Sequence, residues 1–171
     1  IAALQWAVDN GIQITNNSYG SPGNPGSIVQ AAFDNSYAQG LLHIAAAGNA
    51  GNCSGTGDNV GYPAQYGSVV AVAATDRTDT RPCFSSTGPA VELSAPGVSI
   101  NSANIFGGYT IKSGTSMASP HVAGTAALVM SAGITTNTSV RQILQSTAQD
   151  LGIAGRDEHY GYGLVNTVVA A

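Results

Sequence analysis

The sequence predicts an α/β fold, with helices packed on a mainly parallel sheet. Residues 41–47 form an apolar run broken only by His43, the pattern of a strand buried on both faces. Ahead of it, residues 27–39 place Ile28, Ala31, Ala32 and Ala38 at helical spacing, and residues 13–18 read as a short strand. Strand, helix and strand at this spacing make a βαβ unit with parallel strands.

The remaining elements follow in order. Residues 2–10 read as the end of a helix, with apolar Ala3, Leu4, Ala7 and Val8 and a stop at Gly11. Asn24-Pro25-Gly26 is a turn, and Gly40 ends the second helix. The glycine-rich stretch 48–67 is loop. Residues 69–74 and 91–95 are further apolar strands, separated by a polar Thr/Asp/Arg segment. Residues 116–132 form a long helix, with Pro120 expected in its first turn, where a missing N–H costs little. Residues 138–148 form another, carrying Val140, Ile143 and Leu144 on one side, and 166–170 close with a short helical turn. No repeat or linker divides the 171 residues, so one domain over 1–171 is expected.

Composition excludes several function classes. Charged residues are 8% of the chain, net charge is −4, and the basic side chains Arg77, Arg81, Lys112, Arg141 and Arg156 are scattered. That leaves no footprint for nucleic acid. The longest apolar run is too short to cross a bilayer, so no membrane partner is expected. Cys53 and Cys83 lack the spacing partners of a zinc site and form either one disulfide or two free thiols. A bridge closing the loop between them is worth about 3.5 kcal/mol in the chain-entropy model and implies an oxidising compartment.

The chemistry concentrates where Ser116 meets the start of an apolar helix. Helix starts direct free N–H groups and a positive dipole end at whatever lies before them. A serine there is able to attack a carbonyl while its own N–H steadies the resulting oxyanion. Asn49 follows the buried strand 41–47, at the strand end where ligands gather in open parallel sheets. Its amide donates a hydrogen bond without carrying a charge.

The string Gly114-Thr115-Ser116-Met117-Ala118-Ser119-Pro120-His121-Val122-Ala123-Gly124 resembles the nucleophile motif of the subtilisin-like serine proteases over its whole length. Ala46-Ala47-Gly48-Asn49 is similar to the segment that supplies their oxyanion asparagine. Ser18-Tyr19-Gly20-Ser21 resembles the segment that pairs with an extended peptide substrate. Gly61-Tyr62-Pro63-Ala64, Phe84-Ser85-Ser86-Thr87-Gly88-Pro89 and Leu93-Ser94-Ala95-Pro96-Gly97-Val98 match further strings of these proteases. The resemblance implies a three-layer αβα fold with a mainly parallel sheet, lacking its N-terminal portion. It implies a secreted serine endopeptidase acting on peptide or protein substrates, with Ser116 as nucleophile and Asn49 as oxyanion donor. Ser18, Tyr19, Gly20, Ser21, Ala47, Gly48, Gly61 and Thr115 would then line the substrate site, with Tyr19 altering the pocket beside it. No cofactor for the chemistry is implied. Backbone carbonyls near Ala64, Tyr66 and Val69 would hold a structural calcium or sodium ion.

These proteases use a histidine base oriented by an aspartate, both preceding the serine. Residues 1–11 resemble the helix that follows the histidine region, so the N-terminal portion of the same domain is the expected partner. The three histidines present are poor substitutes. His43 reads as a satisfied core residue, His121 faces away from the helix start, and His159 sits in a polar loop expected to be solvated. The competing expectation is an interaction module that keeps the fold without catalysis.

Overall fold

The computed structural model describes residues 1–170. Four strands, β1 (Ile14–Asn17), β2 (Leu42–Ala46), β3 (Val69–Thr75) and β4 (Val91–Pro96), form one parallel sheet in that spatial order. Helices α1 (Ala2–Asp9) and α2 (Ser27–Ala38) cover one face. Helices α3 (Thr115–Ser131), α4 (Asn137–Ser146) and α5 (Thr167–Ala170) lie on the other. This is the expected three-layer arrangement.

The two cores follow from the period of a strand. Val70, Val72 and Ala74 of β3 pack with Ala118, Val122 and Val129 of α3 and with Val140 and Leu144 of α4. Their neighbours Val69, Ala71 and Ala73 face Phe33 of α2 and Leu4 of α1. Both faces of β2 and β3 are buried, which is why these strands read as unbroken apolar runs.

β4 carries a bulge. Ala71 pairs with Val91 and Val72 with Leu93, so Glu92 is the extra residue. Val91 thereby joins the α2-side core and Leu93 the α3-side core. The Glu92 carboxylate accepts two hydrogen bonds from Arg141 of α4, from Nε at 2.7 Å and from Nη2 at 2.5 Å. Gln145 Nε2 adds a third at 2.8 Å. Burial works against the Arg141 charge, but the hydrogen bonds and opposite charge of Glu92 raise its pKa above the ordinary value. The outer edge of β4 is covered by residues 161–165, through Ser94 N to Gly163 O (2.9 Å) and Val165 N to Ser94 O (2.9 Å).

Two features differ from the sequence reading. Residues 100–112 form an antiparallel hairpin, β5 (Ile100–Ala103) and β6 (Tyr109–Lys112), separate from the main sheet. And α3 begins at Thr115, which puts Pro120 in its second turn instead of its first. Cys53 and Cys83 are joined as a disulfide.

Candidate active site

The parallel sheet brings three chain segments together at its carboxyl end: the segment after β1, the segment after β2, and the start of α3. Ser116 is the second residue of α3, so its N–H has no acceptor within the helix. Its hydroxyl donates to the carbonyl of Ser18 (3.0 Å), and the Ser18 hydroxyl donates to the carbonyl of Ser116 (2.9 Å). Pro120 makes the second bond available. In an unbroken helix the N–H four residues on would occupy the Ser116 carbonyl, and proline has none. The proline's place four residues after Ser116 therefore has a local consequence, tying the nucleophile candidate to the segment after β1.

Asn49 is held from one side only. Its Oδ1 accepts from the Thr115 N–H (2.9 Å) and the Thr115 hydroxyl (3.1 Å), while the Thr115 hydroxyl oxygen accepts from Gly48 N–H (3.1 Å). With the oxygen end fixed, the NH2 end of the exposed amide is turned to the cleft. Gly48 has φ +119, and a Cβ there would meet Ser86 Oγ at 2.9 Å, so glycine is required on both counts. Beyond Asn49, Ala50 N donates to Ser86 Oγ (3.2 Å) and Gly51 N to Phe84 O (2.9 Å). Gly51 lies so close to this neighbour that a Cβ would fall 2.1 Å from Ser85 O.

Ser116 and Asn49 open on one pocket of about 260 Å³, which Tyr19, Gly20, Ser21, Ala46, Gly48 and Gly61 also line. Ser21 and Tyr62 exchange two backbone hydrogen bonds (3.0 and 2.8 Å), and Gly61 N donates to Ala47 O (2.8 Å), fixing the two walls relative to each other. Tyr19 is exposed. Its hydroxyl donates to Asn17 Oδ1 (2.9 Å), which sets its ring on the wall shared with a larger neighbouring cavity of about 680 Å³.

One residue expected on the substrate side stands elsewhere. Ala47 is fully buried in the α2-side core, and Ala46 lines the pocket in its place, because successive residues of a strand face opposite ways. Thr115 lines the pocket beside Ser116, and both its donors are committed to Asn49, which it orients.

The subtilase family (peptidase S8) profile matches residues 1–163. The chain belongs to the subtilase family. It is 46% identical to Subtilisin DY of Bacillus licheniformis, over all of this chain and 61% of that protein. It is 41% identical to the Minor extracellular protease Epr of Bacillus subtilis, over 96% of this chain and 25% of that one. The chain thus spans about three-fifths of Subtilisin DY and less of the longer relatives. Among solved structures, a prenylagaramide maturation protease superposes with TM-score 0.86 at 31% identity, covering 99% of this chain and 64% of that one. A psychrophilic subtilisin-like protease from the Antarctic psychrotroph Pseudoalteromonas sp. AS-11 superposes at 0.89, covering 99% and 72%, and at 22% identity it supports the fold alone.

Within this subtilase chain, no described histidine or carboxylate hydrogen-bonds the Ser116 hydroxyl. His43 is buried between Thr15 Oγ1 (2.7 Å) and Ser36 Oγ (2.9 Å), and burial lowers its pKa to about 4. His121 Nδ1 meets the Met117 carbonyl (2.8 Å). His159 departs from the solvated-loop expectation: it is half-buried, with Nε2 at 2.8 Å from Gly55 O in the loop after Asn49.

Sequence reasoning passed over Asn16 and Ser119. Ser119 Oγ donates to Asn16 Oδ1 (2.6 Å), and Asn16 Nδ2 donates to Ser18 Oγ (2.9 Å), the hydroxyl that binds the Ser116 carbonyl. The available signal was spacing. Ser119 lies one helical turn after Ser116, and Asn16 shares a strand face with Ser18.

Proposed function

We propose that this subtilase chain carries the nucleophile and oxyanion half of a serine endopeptidase site. The observation that supports it most directly is the Ser116 hydroxyl and the Asn49 amide, 67 residues apart in the chain, opening on one pocket with the amide oxygen tied back by Thr115. In this reading Ser116 Oγ attacks the scissile carbonyl carbon and loses its proton to a base. The oxyanion takes hydrogen bonds from the Ser116 N–H and the Asn49 side chain. The amine leaves with the proton, and water then hydrolyses the acyl ester on Ser116. The histidine base and its aspartate come from a segment outside these 171 residues, the N-terminal portion of the same domain.

Ser18 to Gly20 align the substrate backbone in extended form. Ala46, Gly48, Ser21 and Gly61 leave room for an aromatic or long aliphatic side chain, and Tyr19 stands as the wall that sets this chain's own preference. The disulfide and the name of the extracellular Bacillus relative support an extracellular location. The carbonyls of Ala64, Tyr66 and Val69 are the proposed seat of a structural calcium or sodium ion. Ala64 and Tyr66 are buried, and the set is neutral and all oxygen, which suits a weakly held hard cation, with Tyr66 O also accepting from Val69 N–H.

A non-catalytic binding module is the second reading, favoured by the Ser116 proton resting on Ser18 O with no base nearby among the described residues. One experiment separates the two. The chain joined to its base-bearing segment, hereafter the complemented enzyme, should hydrolyse a quenched apolar peptide, and the 171-residue chain alone should not. No hydrolysis by the complemented enzyme leaves the binding module; hydrolysis by the chain alone overturns the placement of the base.

A further inference from the structure

A file of polar side chains leads from the buried layer under α2 to Tyr19 on the pocket wall. His43 of β2 stands in register with Thr15 of β1 and reaches Ser36 of α2 on its other side. The Ser36 hydroxyl donates to Ala32 O (2.7 Å), so its oxygen accepts from His43 Nε2 (2.9 Å). Burial lowers the His43 pKa to about 4, which leaves the ring at neutral pH with one donor and one acceptor. Nδ1 therefore accepts from the Thr15 hydroxyl (2.7 Å). The Thr15 oxygen accepts from Asn17 Nδ2 (3.1 Å), and Asn17 Oδ1 accepts from the Tyr19 hydroxyl (2.9 Å). The direction of each bond is set by the one before it.

Ser36, His43 and Asn17 are buried in a layer whose other members, such as Phe33 and Ala45, are apolar. Polar groups there gain little net stability over an apolar filling, even when every bond is made. What a fully paired network supplies is one defined arrangement. The end it defines is Tyr19. That ring is 61% exposed and lines both the 260 Å³ pocket and the 680 Å³ cavity. An exposed side chain changes rotamer rapidly unless it is tied, and the bond to Asn17 is the tie. Asn17 is itself fixed, since its Nδ2 also donates to Ile44 O (3.2 Å).

We propose that His43 is a positioning residue for substrate selection, holding the Tyr19 ring on the pocket wall through Thr15 and Asn17. This rests on the reading of Ser116 as nucleophile and Tyr19 as wall. A held ring offers a ready face to an aromatic side chain beside the scissile bond. A loose ring has to be ordered each time substrate binds, which weakens that contact. The file therefore favours aromatic over small residues at that place.

The test uses the complemented enzyme and two peptides that differ only in phenylalanine or alanine before the scissile bond, with a small ester as reference. The readout is the ratio of the two kcat/KM values, taken within one preparation so that partial misfolding does not move it. His43→Leu should lower the phenylalanine-to-alanine ratio about fivefold, the effect of one hydrogen bond. His43→Asn keeps an acceptor near the place of Nδ1 and should restore most of the ratio. In a Tyr19→Phe background, H43L should change the ratio little, because the hydroxyl it acts through is gone. Thr15→Val breaks the same file with a side chain of similar shape, and it replaces H43L if that variant does not fold. A ratio unchanged by H43L or, in its place, T15V overturns the inference. A loss just as large in the Tyr19→Phe background overturns it too, since His43 would then act through the core at large. A ratio that Tyr19→Ala leaves unchanged removes the wall, and failure of the unmodified enzyme to hydrolyse the ester removes Ser116 as nucleophile. Either result takes this inference with it.

Discussion

Thr115 gives both its backbone N–H and its hydroxyl to a single atom, Oδ1 of Asn49, at 2.9 and 3.1 Å. The residue beside the nucleophile candidate thereby decides which end of the asparagine amide meets the cleft. In the complemented enzyme, Asn49→Leu keeps the volume and removes the donor. The expected result is a fall in kcat of about a hundredfold to a thousandfold, the effect known for loss of the oxyanion asparagine in subtilisin itself. Little change in KM is expected, since the donor acts on charge that develops only after attack. Steady-state kinetics check it, and a loss confined to KM contradicts the role.

Thr115→Val removes the hydroxyl but leaves the backbone donor to Asn49. The amide is then held by one bond, and Gly48 N–H loses its acceptor. A fall in kcat of about tenfold is expected, corresponding to one hydrogen bond. Because Thr115 acts through Asn49, T115V should cost much less in the N49L background than alone. Additive losses in that double-mutant cycle would give Thr115 an independent role.

The loop after Asn49 is fastened more than once. Arg81 donates to Asn52 O (2.7 Å) and Ser85 O (2.7 Å), Gly51 N donates to Phe84 O, and the disulfide closes a 30-residue separation. Replacing both cysteines by serine should lower unfolding free energy by about 3.5 kcal/mol in the chain-entropy model, read from the urea midpoint. With the Arg81 and Gly51 bonds intact, kcat of the complemented enzyme should fall less than twofold to threefold, roughly the effect of a small shift in one donor. An unchanged midpoint contradicts the structural role of the bridge.

His43 predicts a pH dependence of stability. Its folded pKa of about 4 lies below the ordinary 6.5, because burial disfavours the imidazolium. The unfolded chain therefore binds the proton first. The stability that neutral His43 contributes is complete above about pH 6.5 and is lost progressively as pH falls to about 4. His43→Gln should flatten the stability slope across that window in urea titrations at stepped pH. An unaltered slope would assign the dependence to other groups.

The sheet was legible because β2 and β3 are buried on both faces, and such strands leave unbroken apolar runs. The hairpin was not. Its strands are wet on most sides, so neither alternation nor a continuous run marks them, and Gly107-Gly108 was the one turn signal available. The Ser116 string located the helix start, and Pro120 four residues on leaves the Ser116 carbonyl free, yet the bond it takes from Ser18 joins residues 98 apart and is set by packing of the segment after β1 against α3. Ala47 and Ala46 are indistinguishable by type; only the strand's facing separates core from pocket. The link from Ser119 to Asn16 joins residues 103 apart and is set by packing of α3 on β1.

The central claim is that Ser116 is the nucleophile, and covalent trapping tests it most directly. The complemented enzyme is treated with a fluorophosphonate and the adduct is located by peptide mass spectrometry. The predicted result is one phosphonyl group on Ser116, absent from Ser116→Ala. Labelling that persists undiminished in that variant, or an adduct mapped to another side chain, would contradict the account.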